Sequence, residues 1–112
     1  MAVSEPVPGV RVVAPVGEAD TATSGLLRDA ALGAVRAGPG NVVVDMAGLT
    51  FCGSTGLVVL LECRDAAQDA GVGFAAVGGP PIVRRVLEIT GLGPLLGHRD
   101  SLDEVLAAPV KR

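Results

Sequence analysis

Aromatic residues are scarce in this chain of 112 residues, which has two phenylalanines, Phe51 and Phe74, and no tryptophan or tyrosine. Its hydrophobic core must therefore be built from Val, Leu, Ile and Ala, which suits helices packed closely on a sheet. Apolar residues make up 49% of the chain, and a domain of this size can bury a core without disulfides or metals. We expect a single compact domain.

Cysteine, histidine and long apolar segments are also few. Cys52 and Cys63 form no CxxC pair and have no neighbouring ligand residues, so the pattern predicts no metal site and no redox motif, and we expect no cofactor. No segment reaches the ~18 consecutive apolar residues of a membrane-spanning helix. Residues 1–6 lack the basic and apolar stretches of a secretory signal. We therefore expect a cytoplasmic protein with reduced thiols and no membrane span.

Positive charge is limited and dispersed. Nine Lys and Arg stand against twelve Asp and Glu, which gives a net charge of −3 at pH 7, and the cations are scattered along the chain. Binding to a nucleic-acid duplex needs a clustered basic footprint that displaces counterions. Nucleic acid is therefore not expected as a partner.

Apolar periodicity and turn residues predict alternating strands and helices. Strands are predicted at 10–16, 41–46 and 72–77, with a small edge strand at 95–98. Helices are predicted from Asp20 or Thr21 to a stop at 38–40, from 54 to 70, from 80 or 81 to 90, and from 101 to about 108. The crossovers are long enough to be helical, so we predict an α/β fold with a mainly parallel sheet of four to five strands and about four helices.

The pattern also predicts boundaries and buried faces. We expect a flexible N-terminal lead-in at 1–9, one domain at 10–108 and a C-terminal tail at 109–112. The run at 41–46 is apolar on both faces, as in a central strand. The first helix is predicted to turn a stripe toward the core, formed by Leu26, Leu27, Ala30, Ala31, Ala34 and Val35.

Ser54 is the candidate phosphorylation site because it follows a strand and a loop and lies where a helix begins. A hydroxyl at a helix N-cap is exposed, and the helix start favours a phosphate, which adds roughly −1.5 to −2 charges. Such a charge would change a docking surface without unfolding the domain. The structural alternative is that Ser54 only caps the helix while Gly53 and Gly56 relieve the turn.

Three segments carry a resemblance to a known family. Residues 45–57 resemble the phosphorylation loop of anti-sigma factor antagonists, which are STAS domains, with the pattern D-x-x-x-(aromatic or apolar)-x-D-S-(S/T)-G-L. Residues 17–20 resemble the family's G-(E/D)-(L/I)-D turn, and residues 87–92 its L-x-x-(S/T)-G-L segment. The three segments stand in the family's order, and the resemblance as a whole covers the chain from about Val10 to Leu106. Gly53 departs from the pattern, because the family usually has an aspartate before its phosphorylated serine.

The resemblance implies a STAS-like fold and a partner switch rather than an enzyme. The unphosphorylated chain would bind an anti-sigma factor and so release its sigma factor. The anti-sigma factor, as a serine kinase, would then phosphorylate Ser54, and a phosphatase would reset the switch. Thr55 is the alternative phosphoacceptor. The expected partner-binding residues are Asp20, Thr21, Gly53, Ser54, Thr55 and Gly56.

Two other functions would use the same residues differently. A STAS interaction module of a lipid-transport or sensory complex would keep the fold but leave Ser54 unmodified. A serine hydrolase would need the G-x-S-x-G elbow, which fails because position 52 is cysteine, and a triad with His98 and a helix-surface carboxylate such as Asp65 or Asp69. We therefore predict no catalytic residues. The oligomeric state stays open.

Overall fold

The computed structural model describes residues 1–20 and 23–107. Among these residues, three strands precede the first helix, two lie between the first and second helices, one lies between the second and third, and the fourth helix follows the third directly. The strands are β1 (Ala2–Val7), β2 (Val10–Ala14), β3 (Gly17–Ala19), β4 (Asn41–Asp45), β5 (Leu49–Cys52) and β6 (Gly73–Val77). The helices are α1 (Ser24–Arg36), α2 (Ser54–Asp69), α3 (Pro81–Thr90) and α4 (Leu102–Ala107), and a 3-10 turn covers Met46–Gly48.

Four strands form one mixed sheet in the order β1-β2-β4-β6. Strands β2, β4 and β6 are parallel, and β1 is antiparallel to β2. The predicted α/β fold is therefore confirmed: the described residues contain a mainly parallel sheet of four strands and four helices. Strand β4 lies inside this sheet, as its continuous apolar character predicted.

Alternating side chains of β4 supply the cores on the two faces of the sheet. Val42 and Val44 point toward α1 and α2, where they share a cluster with Leu27 and Leu60. Val43 points to the other face and packs in a cluster with Val105 of α4. The three valines of β4 are completely buried, so the sheet is a rigid base for the loops at its ends.

A second sheet of two strands positions the start of α2. Strand β3 pairs in parallel with β5, and Ala19 lies opposite Cys52. Only a loop was predicted between 47 and 53, because strands of three and four residues are too short to show periodicity. Strand β5 runs into α2 through Gly53 alone, so the end of β3 lies beside the first turn of α2.

The first nine residues correct the expectation of a flexible lead-in. Residues Ala2–Val7 form β1, with Ala2 opposite Ala14 and an irregular register between Ser4 and Val7. Every β1 side chain before Val7 is exposed, so the segment carries no apolar alternation from which a strand could be predicted. Pro6 is compatible with β1 because an edge strand has one side without a pairing partner.

The segment 95–98 forms turns, so the predicted edge strand was wrong. Gly97 has a φ of 60°, which an extended strand cannot contain. The segment still belongs to the core, because Leu96 is fully buried and its carbonyl oxygen accepts a hydrogen bond from Ala76 N at 3.0 Å. An isolated bridge joins Val77 to Arg99 instead.

Helix α1 begins later than predicted, at Ser24 with Thr23 as its N-cap. Asp20 belongs to the preceding loop, and Thr21 lies outside the described residues. Most of the predicted apolar stripe is buried or half-buried, as expected, but Leu26 is exposed. Residues 24, 27, 31, 34 and 35 form the buried face of α1. Leu26 lies outside this face because it is about 100° around the helix from Leu27.

Candidate functional site

The first turn of α2 carries the candidate phosphoacceptor. Gly53 is the N-cap, in extended backbone conformation, and Ser54 is the first helical residue. The predicted cap position is therefore one residue too late, but Ser54 and Thr55 are both exposed. The turn, Ser-Thr-Gly-Leu at 54–57, contains no acidic residue. Because the first N–H groups of a helix have no acceptor within it and its positive dipole end lies there, a phosphate on Ser54 would be favourably placed.

Gly56 holds this turn directly against β3. A Cβ atom at position 56 would lie 2.8 Å from Ala19 O, 2.9 Å from Ala19 Cβ and 3.0 Å from Cys52 Sγ. A side chain there would collide with backbone, so glycine is required for the close approach. Gly53 N also donates to Ala19 O at 3.0 Å. Gly56 is buried behind the exposed Ser54 and Thr55, and its role visible in the structure is to seat α2.

Asp20 is brought beside this turn because it follows Ala19 directly. Its carbonyl oxygen accepts hydrogen bonds from Thr23 N at 3.2 Å and Ser24 N at 2.8 Å, and its Oδ1 lies 3.3 Å from Thr23 N. Asp20 therefore stabilises the start of α1 while remaining half-buried at the surface. The structure brings the two predicted parts of the partner rim, Asp20 and residues 53–56, to one end of the β3–β5 pair.

Two exposed apolar side chains near Ser54 were not predicted from the sequence as part of the site. The Phe51 ring lies against Gly53, with Cε2 3.3 Å from the position of a Cβ on that glycine. Val58 follows Ser54 by four residues and so shares its helix face. Both are exposed. We call Phe51, Ser54, Thr55 and Val58 the α2 face; the helical spacing of Val58 was the signal that could have revealed it.

Asp45 and His98 have local structural partners. Asp45 Oδ1 accepts a hydrogen bond from Ala47 N at 3.0 Å and so caps the 3-10 turn after β4. His98 Nε2 lies 3.0 Å from Gly78 O, which fixes the turn after α3. Asp65 binds Arg64 at 3.0 Å on the surface of α2. None of these three contacts links a carboxylate to His98 or His98 to Ser54, as a hydrolase triad would need.

The two cysteines are buried and unpaired. Burial raises the pKa of Cys52, and burial together with the nearby Glu62 carboxylate raises the pKa of Cys63 to about 11. Both side chains therefore stay protonated at neutral pH, unlike nucleophilic or metal-binding cysteines. Within residues 1–20 and 23–107, no group of three His, Cys, Asp or Glu side chains is placed to hold a metal ion. No helix in the same part of the chain is both long and apolar enough to cross a membrane.

The mainly parallel sheet with helices packed on it belongs to a known family of domains. The family model of the STAS domain matches residues 2–105, and it therefore includes β1. The chain belongs to the STAS domain family, which confirms the resemblance seen in its motifs.

Several solved structures are similar to this chain. An anti-sigma factor antagonist from Mycobacterium paratuberculosis is 32% identical, with a TM-score of 0.86 over 96% of this chain and 90% of its own. The anti-sigma factor antagonist SpoIIAA, in its unphosphorylated form, is 20% identical, with a TM-score of 0.77 over 95% of this chain and 91% of its own. The murine anion transporter Slc26a9 matches 93% of this chain with 18% of its own, at 17% identity and a TM-score of 0.77. A search of curated proteins gave no match.

Proposed function

We propose that this chain is a cytoplasmic anti-sigma factor antagonist that binds an anti-sigma factor through the α2 face and is released when Ser54 is phosphorylated. The observation that carries the proposal is the exposed hydroxyl of Ser54 at the first turn of a helix that is seated firmly on β3. The 32% identity to an anti-sigma factor antagonist over most of both chains supports the same function.

Binding is expected to depend on the apolar members of the α2 face. Phe51 precedes Ser54 by three residues, Val58 follows it by four, and both are exposed. A partner docked on the α2 face would therefore remove water from all four of its side chains. A neutral hydroxyl tolerates this burial when it finds a hydrogen-bond partner. A phosphate buried next to these apolar side chains would lose its hydration. The first turn of α2, residues 54–57, contains no cation that could pair with it. Burying the unpaired charge costs several kcal/mol.

The phosphorylation step is assigned to the partner. The anti-sigma factor, acting as a serine kinase, would transfer the γ-phosphoryl group of ATP to Ser54 Oγ, with release of ADP and loss of the hydroxyl proton. A phosphatase would hydrolyse the ester to inorganic phosphate and restore the hydroxyl. The chain is a substrate and a ligand in this cycle, and its own residues contribute no catalysis. SpoIIAA, which shares the fold, has also been solved in a phosphorylated form.

The test combines phosphorylation and binding. The purified chain is incubated with ATP and each purified anti-sigma kinase of its source organism, and its intact mass is measured. We expect the mass gain of one phosphoryl group, loss of that gain in Ser54→Ala and its retention in Thr55→Ala. The unmodified chain should bind the same kinase in calorimetry, and the phosphorylated chain should not. A mass gain that persists in Ser54→Ala, or equal binding of both forms, would contradict the proposal.

Two observations favour a second function, a STAS interaction module without phosphorylation. Gly53 replaces the aspartate that usually precedes the phosphorylated serine, and the fold occurs within a transporter chain. In that case none of the kinases would modify the chain, and Ser54→Ala would bind the chain's partner as well as the native sequence does. The intact-mass measurement therefore separates the two functions.

A further inference from the structure

An apolar groove lies next to β3, outside the α2 face. Three exposed apolar side chains, Met1, Val16 and Leu26, stand around it, and Leu27 and Leu49 form part of its lining. Val16 is 71% exposed and Leu26 is 63% exposed. Isolated exposed apolar residues are normal, but several around one concave surface are typical of an interaction site.

The size of the groove limits what it can accept. Its volume is about 80 Å³, roughly half that of a 150 Å³ cavity that holds benzene. The groove therefore fits one aliphatic side chain, such as leucine, isoleucine or methionine, and is too small for an indole ring.

Two exposed carboxylates lie at or near the groove. Glu18 lines it and is exposed. Asp29 is also exposed, and it lies three residues after Leu26 on the same side of α1. The neighbouring cation, Arg28, is already bound to Glu62 at 2.9 Å. An aliphatic side chain that enters the groove would therefore be best accompanied by a lysine or arginine.

The groove is continuous with the α2 face through β3. Ala19 lines the groove, and its carbonyl oxygen accepts the hydrogen bond from Gly53 N at 3.0 Å. Thr23, which also lines the groove, is bonded to Asp20 beside the first turn of α2. Paired strands lie about 4.8 Å apart, so a partner docked on Ser54 reaches the groove across two short strands.

We propose that the anti-sigma factor anchors itself by inserting one aliphatic side chain, flanked by a lysine or arginine, into the groove between Val16 and Leu26. This inference rests on the proposed function and adds a second contact to it. The anchor is separate from Ser54, so it serves the encounter between kinase and substrate as well as the stable complex.

The test measures the affinity of groove variants for the purified anti-sigma factor that binds the native chain. The variants are Val16→Glu, Leu26→Glu and Leu26→Lys, and the matched control is Ile89→Glu. Ile89 lies on α3 and is 73% exposed, so the control makes the same change at an equally exposed aliphatic residue. Circular dichroism checks that each variant is folded.

We expect each groove variant to raise Kd by about tenfold or more, whereas the control changes it by less than about twofold. The Leu26 variants should also raise KM for phosphorylation of Ser54 while leaving kcat unchanged, because the anchor is remote from the transferred group. Leu26→Lys distinguishes two kinds of contact. A partner that binds with an acidic surface would bind this variant more tightly, whereas insertion of an aliphatic side chain is weakened by a positive or a negative charge at position 26.

Other outcomes would overturn the inference in distinguishable ways. If the native chain binds an anti-sigma factor and the groove variants bind equally well, the groove is wrong and the proposed function stands. If Leu26→Lys binds more tightly, the contact is ionic rather than aliphatic. If the native chain sediments as a dimer that Leu26→Glu dissociates, a second copy occupies the groove. If the native chain binds none of the anti-sigma factors of its source organism, both the groove and the proposed function are wrong.

Discussion

Replacing Gly56 by alanine tests whether the close approach of α2 to β3 is what seats the candidate site. The added Cβ would lie 2.8 Å from Ala19 O, 2.9 Å from Ala19 Cβ and 3.0 Å from Cys52 Sγ. All three atoms belong to the paired strands β3 and β5, which cannot separate from α2 without disturbing their own contacts. Overpacking of this kind costs about 1–3 kcal/mol.

The helix propensity of alanine offsets part of that loss. Alanine is favoured over glycine by about 1 kcal/mol inside a helix, and by less in the first turn. We therefore expect Gly56→Ala to lower the free energy of unfolding by about 1–2 kcal/mol. The melting temperature should fall by roughly 5–10 °C.

Gly33→Ala is the matched control for this prediction. Gly33 lies in α1, and a Cβ there would have no heavy atom of the described residues within 4 Å apart from its local helix neighbours. The Gly33→Ala substitution should stabilise the chain by about 0.5–1 kcal/mol. Urea denaturation followed by far-UV circular dichroism gives both values, since the chain has no tryptophan. The reasoning would be refuted if Gly56→Ala proved as stable as Gly33→Ala.

Three further predictions concern the end of α1, the start of α2 and the thiols. Arg11 donates to the carbonyl oxygens of Ala34, Gly38 and Pro39 at 2.5–3.0 Å, so Arg11→Ala should destabilise the chain by about 1–3 kcal/mol, measured by urea denaturation with Arg36→Ala as control; equal values for the two would contradict it. Phosphorylation of Ser54 should stabilise the fold by about 0.3–1 kcal/mol at low salt and by less at high salt, measured as a shift in melting temperature; no shift would show that the phosphate does not interact with α2. Because the pKa of Cys63 is raised to about 11 from 9.0, the unfolded chain ionises first, so stability should be unaffected below pH 9 and fall toward pH 11; Cys63→Ala should reduce this slope, and an unchanged slope would argue against a buried thiol.

The parts of the fold that the sequence predicted are those with dense local signals. Strand β4 shows an uninterrupted apolar run, and a glycine or proline lies within two residues of each end of α2 and α3. Gly91, for example, ends α3 in the left-handed conformation, with a φ of 72°. Strand β1 and strand β5 gave no such signal, because one is exposed along its length and the other has four residues.

The candidate phosphoacceptor could be predicted from the sequence, but the exposed apolar residues around it could not. Ser54 could be identified from its motif and from its place before a helix. Phe51 and Leu26 could not, because whether an apolar residue in a short strand or beside a helical stripe faces the core or solvent depends on contacts between elements that are distant in the sequence. Leu26 was assigned to the core for this reason, and its exposure is what reveals the groove.

The close packing of Gly56 on Ala19 also bears on how fast the proposed switch would respond. Because the space between them does not admit a Cβ atom, we expect the first turn of α2 to keep its position when the charge on Ser54 changes. Information would then be carried by surface chemistry on an unchanging shape. The response time would be set by phosphoryl transfer and by departure of the bound protein, with no slow rearrangement of the domain between them.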